Sequence, residues 1–187
     1  MKIYLIGGKA KSGKNTLGER LKYYLIEKGY TPCIMRITEP LYNYAETYFK
    51  YDEKTDTKPR EFLQNMGIEI IQEKMGKKDF LLNRLFEDIE ILNNFFDIFI
   101  ITDARLIHEF ESIKNKYKNT TIIKLERSNY NDELTEKERN HITEKEIEKY
   151  NDYDYLIKND NLKSLDKAAK EIIDKEEYHY EGEVLWV

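Results

Sequence analysis

Apolar residues along this chain fall into short continuous runs and helical stripes, and the two kinds alternate. Residues 2–6, Lys-Ile-Tyr-Leu-Ile, predict a short buried strand. A glycine-rich turn follows. Leu17, Leu21, Tyr24 and Leu25 then recur at helical spacing, and Gly29 ends that helix. Residues 33–37, Cys-Ile-Met-Arg-Ile, predict a second strand that closes at Glu39-Pro40, and a helix is expected over about 41–50. Another helix starts at Pro59, a favourable first-turn residue, with Phe62, Met66 and Ile70 on one face. Leu82, Leu85, Phe86, Ile89 and Leu92 mark a further amphipathic helix.

The run from Phe95 to Asp103 has the continuous apolar character of a central parallel strand, buried on both faces. A helix is expected at about 106–117, a strand at 120–125 and another strand at 153–157. Residues 126–149 between those strands are almost wholly polar. Leu165, Ala169, Ile172 and Ile173 mark a closing helix, and the tail 176–187 ends in Val184-Leu185-Trp186-Val187, which could pair as an edge strand or dock on the body. Five strands alternating with helices predict an α/β fold, a five-stranded parallel sheet with helices on both faces. In such sheets ligands bind beyond the carboxyl ends of the strands.

Composition narrows this picture. The 187 residues suit a single domain, 1–187. Charged residues reach 36% and the mean hydropathy is -0.76, values that raise the question of disorder, but 13% aromatics argue against it. The net charge of -5 is interspersed, with no basic excess of the kind a duplex-binding protein shows, so no nucleic acid partner is expected. No apolar stretch approaches the length of a membrane span, and no secretory signal opens the chain. One cysteine, Cys33, forms no internal disulfide and reads as a small buried hydrophobe, which fits a reducing, cytoplasmic location.

The chemistry concentrates after the first strand. Gly8-Lys9-Ala10-Lys11-Ser12-Gly13-Lys14-Asn15-Thr16 has glycine, four residues, then Gly-Lys, in strand–loop–helix context: a phosphate loop. Glycines let successive N–H groups converge on phosphate oxygens, the following helix points its positive end there, and Lys14 adds a full charge. Four of the eight glycines lie in residues 7–18. The position that normally carries Ser or Thr for Mg²⁺ is Asn15, so the ion is expected to be held mainly by water and phosphate oxygens.

Asp103 ends the central strand, where an acidic group orients Mg²⁺ or its water; the alternative is an N-cap for the next helix. Arg105 either holds a phosphate in bidentate fashion or pairs with Asp103 or Glu109. Segment 127–149 suits a lid that closes over phosphates, with Arg127 and Arg139 delivering charge to the transferring group; the alternative is a solvated charged helix. Tyr42, Tyr44, Tyr48 and Tyr51 either stack an acceptor base or, more often in such a pattern, pack half-buried.

Four segments carry a family resemblance. Gly8 to Thr16 is similar to the Gly-Lys-x-x-Ser-Gly-Lys-Asp-Thr loop of the nucleoside monophosphate kinase superfamily, closest to its deoxynucleoside monophosphate kinases, and Asn15 stands near the Asp habitual there. Lys58 to Glu69 resembles the group's Arg-x-x-Leu-Gln-x-x-Gly-x-Glu acceptor helix. Thr102-Asp103-Ala104-Arg105 with Glu109 resembles its strand end, and His141 to Glu144 followed by Asp154 to Asn159 resembles its lid, last strand and Asn. Animal phosphomevalonate kinases share the layout.

The resemblance implies ATP and Mg²⁺ as cofactors and phosphoryl transfer to a (deoxy)nucleoside monophosphate in a P-loop kinase. Residues 8–16 and Asn159 would hold ATP, with Asn159 near the donor adenine. Arg60, Gln64 and Arg105 would hold the acceptor within a helical region at about 41–94, with Arg84 approaching its phosphate. Lys14, Arg127, Arg139 and Asp103 would act in catalysis, and Asn15 and Asp103 would serve the metal through water. Partners would be small-molecule nucleotides, and the chain a monomer or homodimer. The alternatives are a kinase of another small phosphorylated acceptor, such as phosphomevalonate, and a nucleotide-binding ATPase or switch.

Overall fold

The computed structural model describes residues 1–127 and 134–176. The tail expected to form an edge strand therefore lies, beyond residue 176, outside the described residues, as does part of the expected lid, 128–133.

Five strands form one all-parallel sheet: β1 (Lys2–Gly7), β2 (Pro32–Met35), β3 (Ile98–Ala104), β4 (Thr120–Glu126) and β5 (Tyr155–Lys158), in the order β2-β3-β1-β4-β5. The alternation of side chains decides what each face holds. Ile3 and Leu5 of β1 and Phe99 and Ile101 of β3 enter one core, with Leu82, Leu85 and Ile89 of α4 (Phe80–Leu92) and Phe110 and Ile113 of α5 (Ile107–Lys116). Tyr4 and Ile6, with Ile98 and Ile100, enter the other, with Leu17 and Leu21 of α1 (Lys14–Glu27) and Ala169 and Ile173 of α8 (Leu162–Lys175). Covered on both faces, β3 has the continuous apolar run that was expected of it.

The second strand ends at Met35 rather than at residue 37, and the last runs Tyr155–Lys158 rather than 153–157. Two further boundaries move for local reasons. Phe95 and Phe96 do not begin β3: their amides donate to the Leu92 carbonyl at 2.8 and 3.0 Å, finishing the turn after α4. The helix entered at Pro59 changes winding. After α3 (Arg60–Gln64) residues Asn65–Lys74 follow a π-helical path, and the Met75 amide donates to Ile70. A π segment of this kind frequently accompanies a functional site. The expected helix at 41–50 is α2 (Glu39–Phe49).

The polar stretch 126–149 contains α6 (Glu136–Asn140) and α7 (Ile142–Lys149). The latter is docked: Glu144 and Ile147 are buried, and Tyr150 stacks on Phe110 with ring centroids 4.4 Å apart. One apolar residue per two turns is enough to anchor a helix whose other faces are charged, and the composition of the segment hides it. No helix among the described residues is long and apolar enough to cross a membrane.

Candidate functional site

Two cavities open beyond the carboxyl ends of the strands, and α7 contributes to both. The first, about 670 Å³, is lined by loop residues Gly8, Lys9, Ala10 and Ser12 and also by Arg127 and Arg139. The loop can take its path only with glycine at two points. Gly8 has φ +156° and a Cβ there would stand 2.4 Å from the Leu125 carbonyl oxygen. Gly13 has φ +103° and a Cβ would stand 2.6 Å from Asn159 Nδ2. α1 then begins at Lys14, so the unpaired amides of its first turn face the loop and make an anion cradle.

Lys14 is buried, and its Nζ donates to the carbonyls of Gly8 and Lys9 at 2.7 Å each. Burial and the Arg105 charge push its pKa down, while the carboxylate of Glu144 raises it. The Ser12 hydroxyl is buried without a hydrogen-bond partner, a donor available to a bound anion. Asn159 braces the loop: its Nδ2 donates to the Ser12 carbonyl at 2.8 Å, and its own amide donates to Glu126 at 2.7 Å. It does not line the cavity and sits under the loop. Arg127 Nη1 reaches the Lys11 carbonyl at 3.4 Å, and Arg139 Nη2 the Leu134 carbonyl at 3.2 Å. Both sequence-nominated lid arginines thus stand at the loop cavity.

The second cavity, about 100 Å³, has polar lining from Lys58, Arg60, Gln64 and Arg105 and an apolar wall of Leu41, Leu63 and Leu81. Asp103 and Glu109 also line it. Asp103 is committed to the start of α2: Oδ1 accepts the Ile37 amide at 2.8 Å and Oδ2 the Thr38 amide at 3.0 Å and hydroxyl at 2.5 Å. It does not cap α5. Glu109 does, accepting the amides of Arg105 and Leu106 at 2.8 and 2.9 Å. Burial pushes the Glu109 carboxyl up to about 7 against those two bonds.

Arg105 pairs with neither expected carboxylate. Its Nη1 meets Glu144 Oε1, and Glu144 Oε2 accepts the Ala10 amide at 2.9 Å. Two further contacts seat α7 on α3 and the π segment after it: Gln64 Nε2 to Thr143 Oγ1 at 3.4 Å, and His141 Nε2 to Glu69 Oε1 at 3.7 Å.

Three nominated residues are placed elsewhere. Arg84 lies on the exposed face of α4, opposite Leu82, Leu85 and Ile89, and pairs with Glu87 at 3.4 Å rather than entering the cavity. Asn15 is exposed beside a different hollow, with Glu19, Arg36, Glu39 and Thr102, so it does not share a cavity with Asp103. Tyr42 is buried under the Arg36 guanidinium, 4.2 Å from its ring, and packs rather than stacks. Lys58 and Glu144 also stand at these cavities: each stands at one end of a segment that carries the family resemblance, Lys58 to Glu69 and His141 to Glu144, but a lysine or glutamate in a charged stretch has no local pattern that places it at a cavity.

The model of the deoxynucleotide monophosphate kinase family matches residues 35–172. No curated protein sequence matches the chain. Solved structures share its fold at low identity. An APS kinase from Mycobacterium tuberculosis superposes with TM-score 0.53 at 14% identity, over 92% of this chain and 94% of that one. A shikimate kinase from Bacteroides thetaiotaomicron gives 0.52 at 16%, over 93% and 96%. A shikimate kinase from Acinetobacter baumannii, in complex with shikimate, gives 0.50 at 16%, over 92% and 90%. With the phosphate loop at the end of β1 of its parallel sheet and a family match across most of its length, this chain is a P-loop kinase and belongs to the deoxynucleotide monophosphate kinase family.

Proposed function

We propose that the protein transfers the γ-phosphoryl group of ATP to a (deoxy)nucleoside monophosphate, giving two diphosphates. The observation that carries this reading is the pair of cavities, one at an anion-cradling loop and one with Arg60 and Arg105 beside an apolar wall, meeting at α7. Two separate cationic sites suit a reaction in which both partners bring phosphate. Leu41, Leu63 and Leu81 offer a flat apolar face for a base, and the Gln64 amide can pair with a base edge.

Loop amides and the Ser12 hydroxyl hold the donor phosphates in this reading, and Lys14 turns from its own loop carbonyls to the β and γ oxygens. Arg127 and Arg139 bring charge from the lid. Arg60 and Arg105 hold the acceptor phosphate in line. Its attacking oxygen is already ionised near neutral pH, since a phosphate monoester loses its second proton at about pH 6. The bond from γ-phosphorus to the β–γ bridging oxygen breaks as the new bond forms, and no side chain needs to remove a proton. Positioning and charge do the work.

The described residues hold no cluster of three or more His, Cys, Asp or Glu that could hold a metal, and both Asp103 oxygens already accept backbone amides. In this reading Mg²⁺ is carried largely by water and phosphate oxygens, and Asn15 and Asp103, which line different cavities, reach it only through water. The ion would neutralise charge on the transferring group.

A coupled ADP-release assay over ribo- and deoxynucleoside monophosphates, with shikimate, APS and phosphomevalonate as further acceptors, tests the reading. Turnover confined to nucleotides is expected, and Gln64→Ala should raise the acceptor KM about tenfold with the ATP KM nearly constant, as for loss of a base-edge contact. Turnover of a non-nucleotide acceptor alone would reverse it.

A further inference from the structure

Four groups placed to receive phosphate in this cleft, the Ala10 amide, Arg105, Lys14 and Lys9, are already engaged by acceptors from the protein itself. Glu144, 4% exposed in the first turn of α7, places Oε2 on the Ala10 amide of the loop and Oε1 on the Arg105 guanidinium. Lys14 curls back onto Gly8 and Lys9. Glu148, one turn beyond Glu144 on the same face of α7, pairs with Lys9. A carboxylate presents two anionic oxygens in a plane, and here they take one donor from each side of the cleft, as a bridging phosphate would.

We propose that Glu144 is a built-in phosphate surrogate that couples the donor and acceptor sites. The inference rests on the reading that the loop takes the donor phosphates and Arg105 the acceptor phosphate. A phosphate arriving at the loop takes the Ala10 amide from Glu144. The carboxylate then loses one of its two anchors, and Arg105 becomes available to the acceptor. Binding on the acceptor side draws Arg105 away and frees the loop amide in turn. Because coupling between sites is reciprocal, each substrate should tighten the other by the same factor, and that factor should depend on Glu144. Glu144 acts here as a positioning residue, and α7 stays seated through Gln64–Thr143 and through Glu146, which accepts the Ile107 amide at 2.9 Å.

The test is calorimetric titration of ATP into the full-length protein, with and without a saturating nucleoside monophosphate, for the native chain, Glu144→Gln and Glu144→Asp, each first checked for cooperative thermal unfolding. Glutamine keeps the size and an oxygen for the Ala10 amide but turns donors or a neutral oxygen to Arg105; aspartate keeps the charge but is too short to span both anchors. A site whose competent form is held to a tenth by its internal occupant binds about tenfold more weakly than the unblocked site. Glu144→Gln should therefore bind ATP alone about tenfold tighter, with Glu144→Asp in between, and the tightening of ATP by the acceptor should shrink towards one. A merely structural role would lower the unfolding temperature of both variants and leave both the ATP affinity and the coupling factor where they were, and that result overturns the proposal. Unchanged or weaker ATP binding by the folded variants overturns it too, while the assigned function stands. If neither the native chain nor the variants bind ATP, the functional reading falls together with the proposal.

Discussion

The loop cavity and the acceptor cavity are built by different means. The loop is one contiguous stretch, Gly8 to Thr16, and backbone geometry shapes it: two left-handed or extended glycines, the amides at the start of α1, and the Asn159 brace beneath Ser12. The acceptor cavity is assembled from Arg60 and Gln64 on α3, Arg105 and Glu109 after β3, Thr143 on α7 and the apolar wall of Leu41, Leu63 and Leu81, so side chains distant in sequence shape it. A backbone cradle is ready before its ligand arrives. Under the proposed function a side-chain site must exchange partners, and Arg105 is here paired with Glu144.

The largest expected effect breaks the loop half. Lys14→Ala removes the buried cation at the start of α1, beside the loop carbonyls, and leaves the glycine geometry alone. Loss of a preorganised charge-stabilising group costs about 10²–10³-fold in rate. We expect kcat to fall by at least that factor, with the acceptor KM little changed. A comparable rise in acceptor KM would mean that the two cavities are not separate in function.

That contrast also decides what the sequence makes legible. Nine adjacent residues carry the loop, so spacing alone names them, and the alternation of Ile3, Tyr4, Leu5 and Ile6 between two cores follows from the period of a strand. Arg105 and Glu144 are 39 positions apart, and no local pattern pairs two charges over that distance. Arg60 and Gln64 are found because they share one turn of helix; the π winding just after them is invisible, since Met66 and Ile70 keep an ordinary helical spacing while Gly67 and Ile71 are the residues that bury. Asn159 follows β5 directly, and its contact with the Ser12 carbonyl depends on how the sheet brings β5 alongside the loop.

A second prediction probes the acceptor half through pH. Burial raises the Glu109 carboxyl from 4.5 to about 7 in the folded protein. Between those values the native state therefore binds more protons than the unfolded chain, so this group's contribution to stability falls as pH rises through that window, and the penalty is fully present above about pH 7. A shift of this size corresponds to roughly 3 kcal/mol. Glu109→Gln keeps an oxygen for the Arg105 and Leu106 amides and cannot ionise. Urea unfolding should show the variant more stable than the native chain at pH 8 by about 2–3 kcal/mol, with the gap closing by pH 4. A gap that is constant with pH, or that opens on the acid side, would show that the carboxyl is not held neutral by its burial.

The smallest expected effect marks where the acceptor half ends. Arg84 was nominated for the acceptor phosphate, but α4 buries Leu81, Leu82, Leu85 and Ile89, and the helical period turns residue 84 to solvent beside Glu87. An exposed pair separated by 3.4 Å between long side chains contributes little, because water screens it and ordering both side chains costs entropy. Arg84→Ala should change stability by less than about 0.5 kcal/mol. The acceptor KM should also stay within about twofold of the native value, against about tenfold for Gln64→Ala, a difference set by loss of a cavity-lining contact as opposed to a solvent-facing one. Steady-state titration of the acceptor at saturating ATP reads this directly. A rise for Arg84→Ala comparable to that for Gln64→Ala would require α4 to turn inward when the acceptor binds, and would make the acceptor half a moving wall where the loop half is a fixed one.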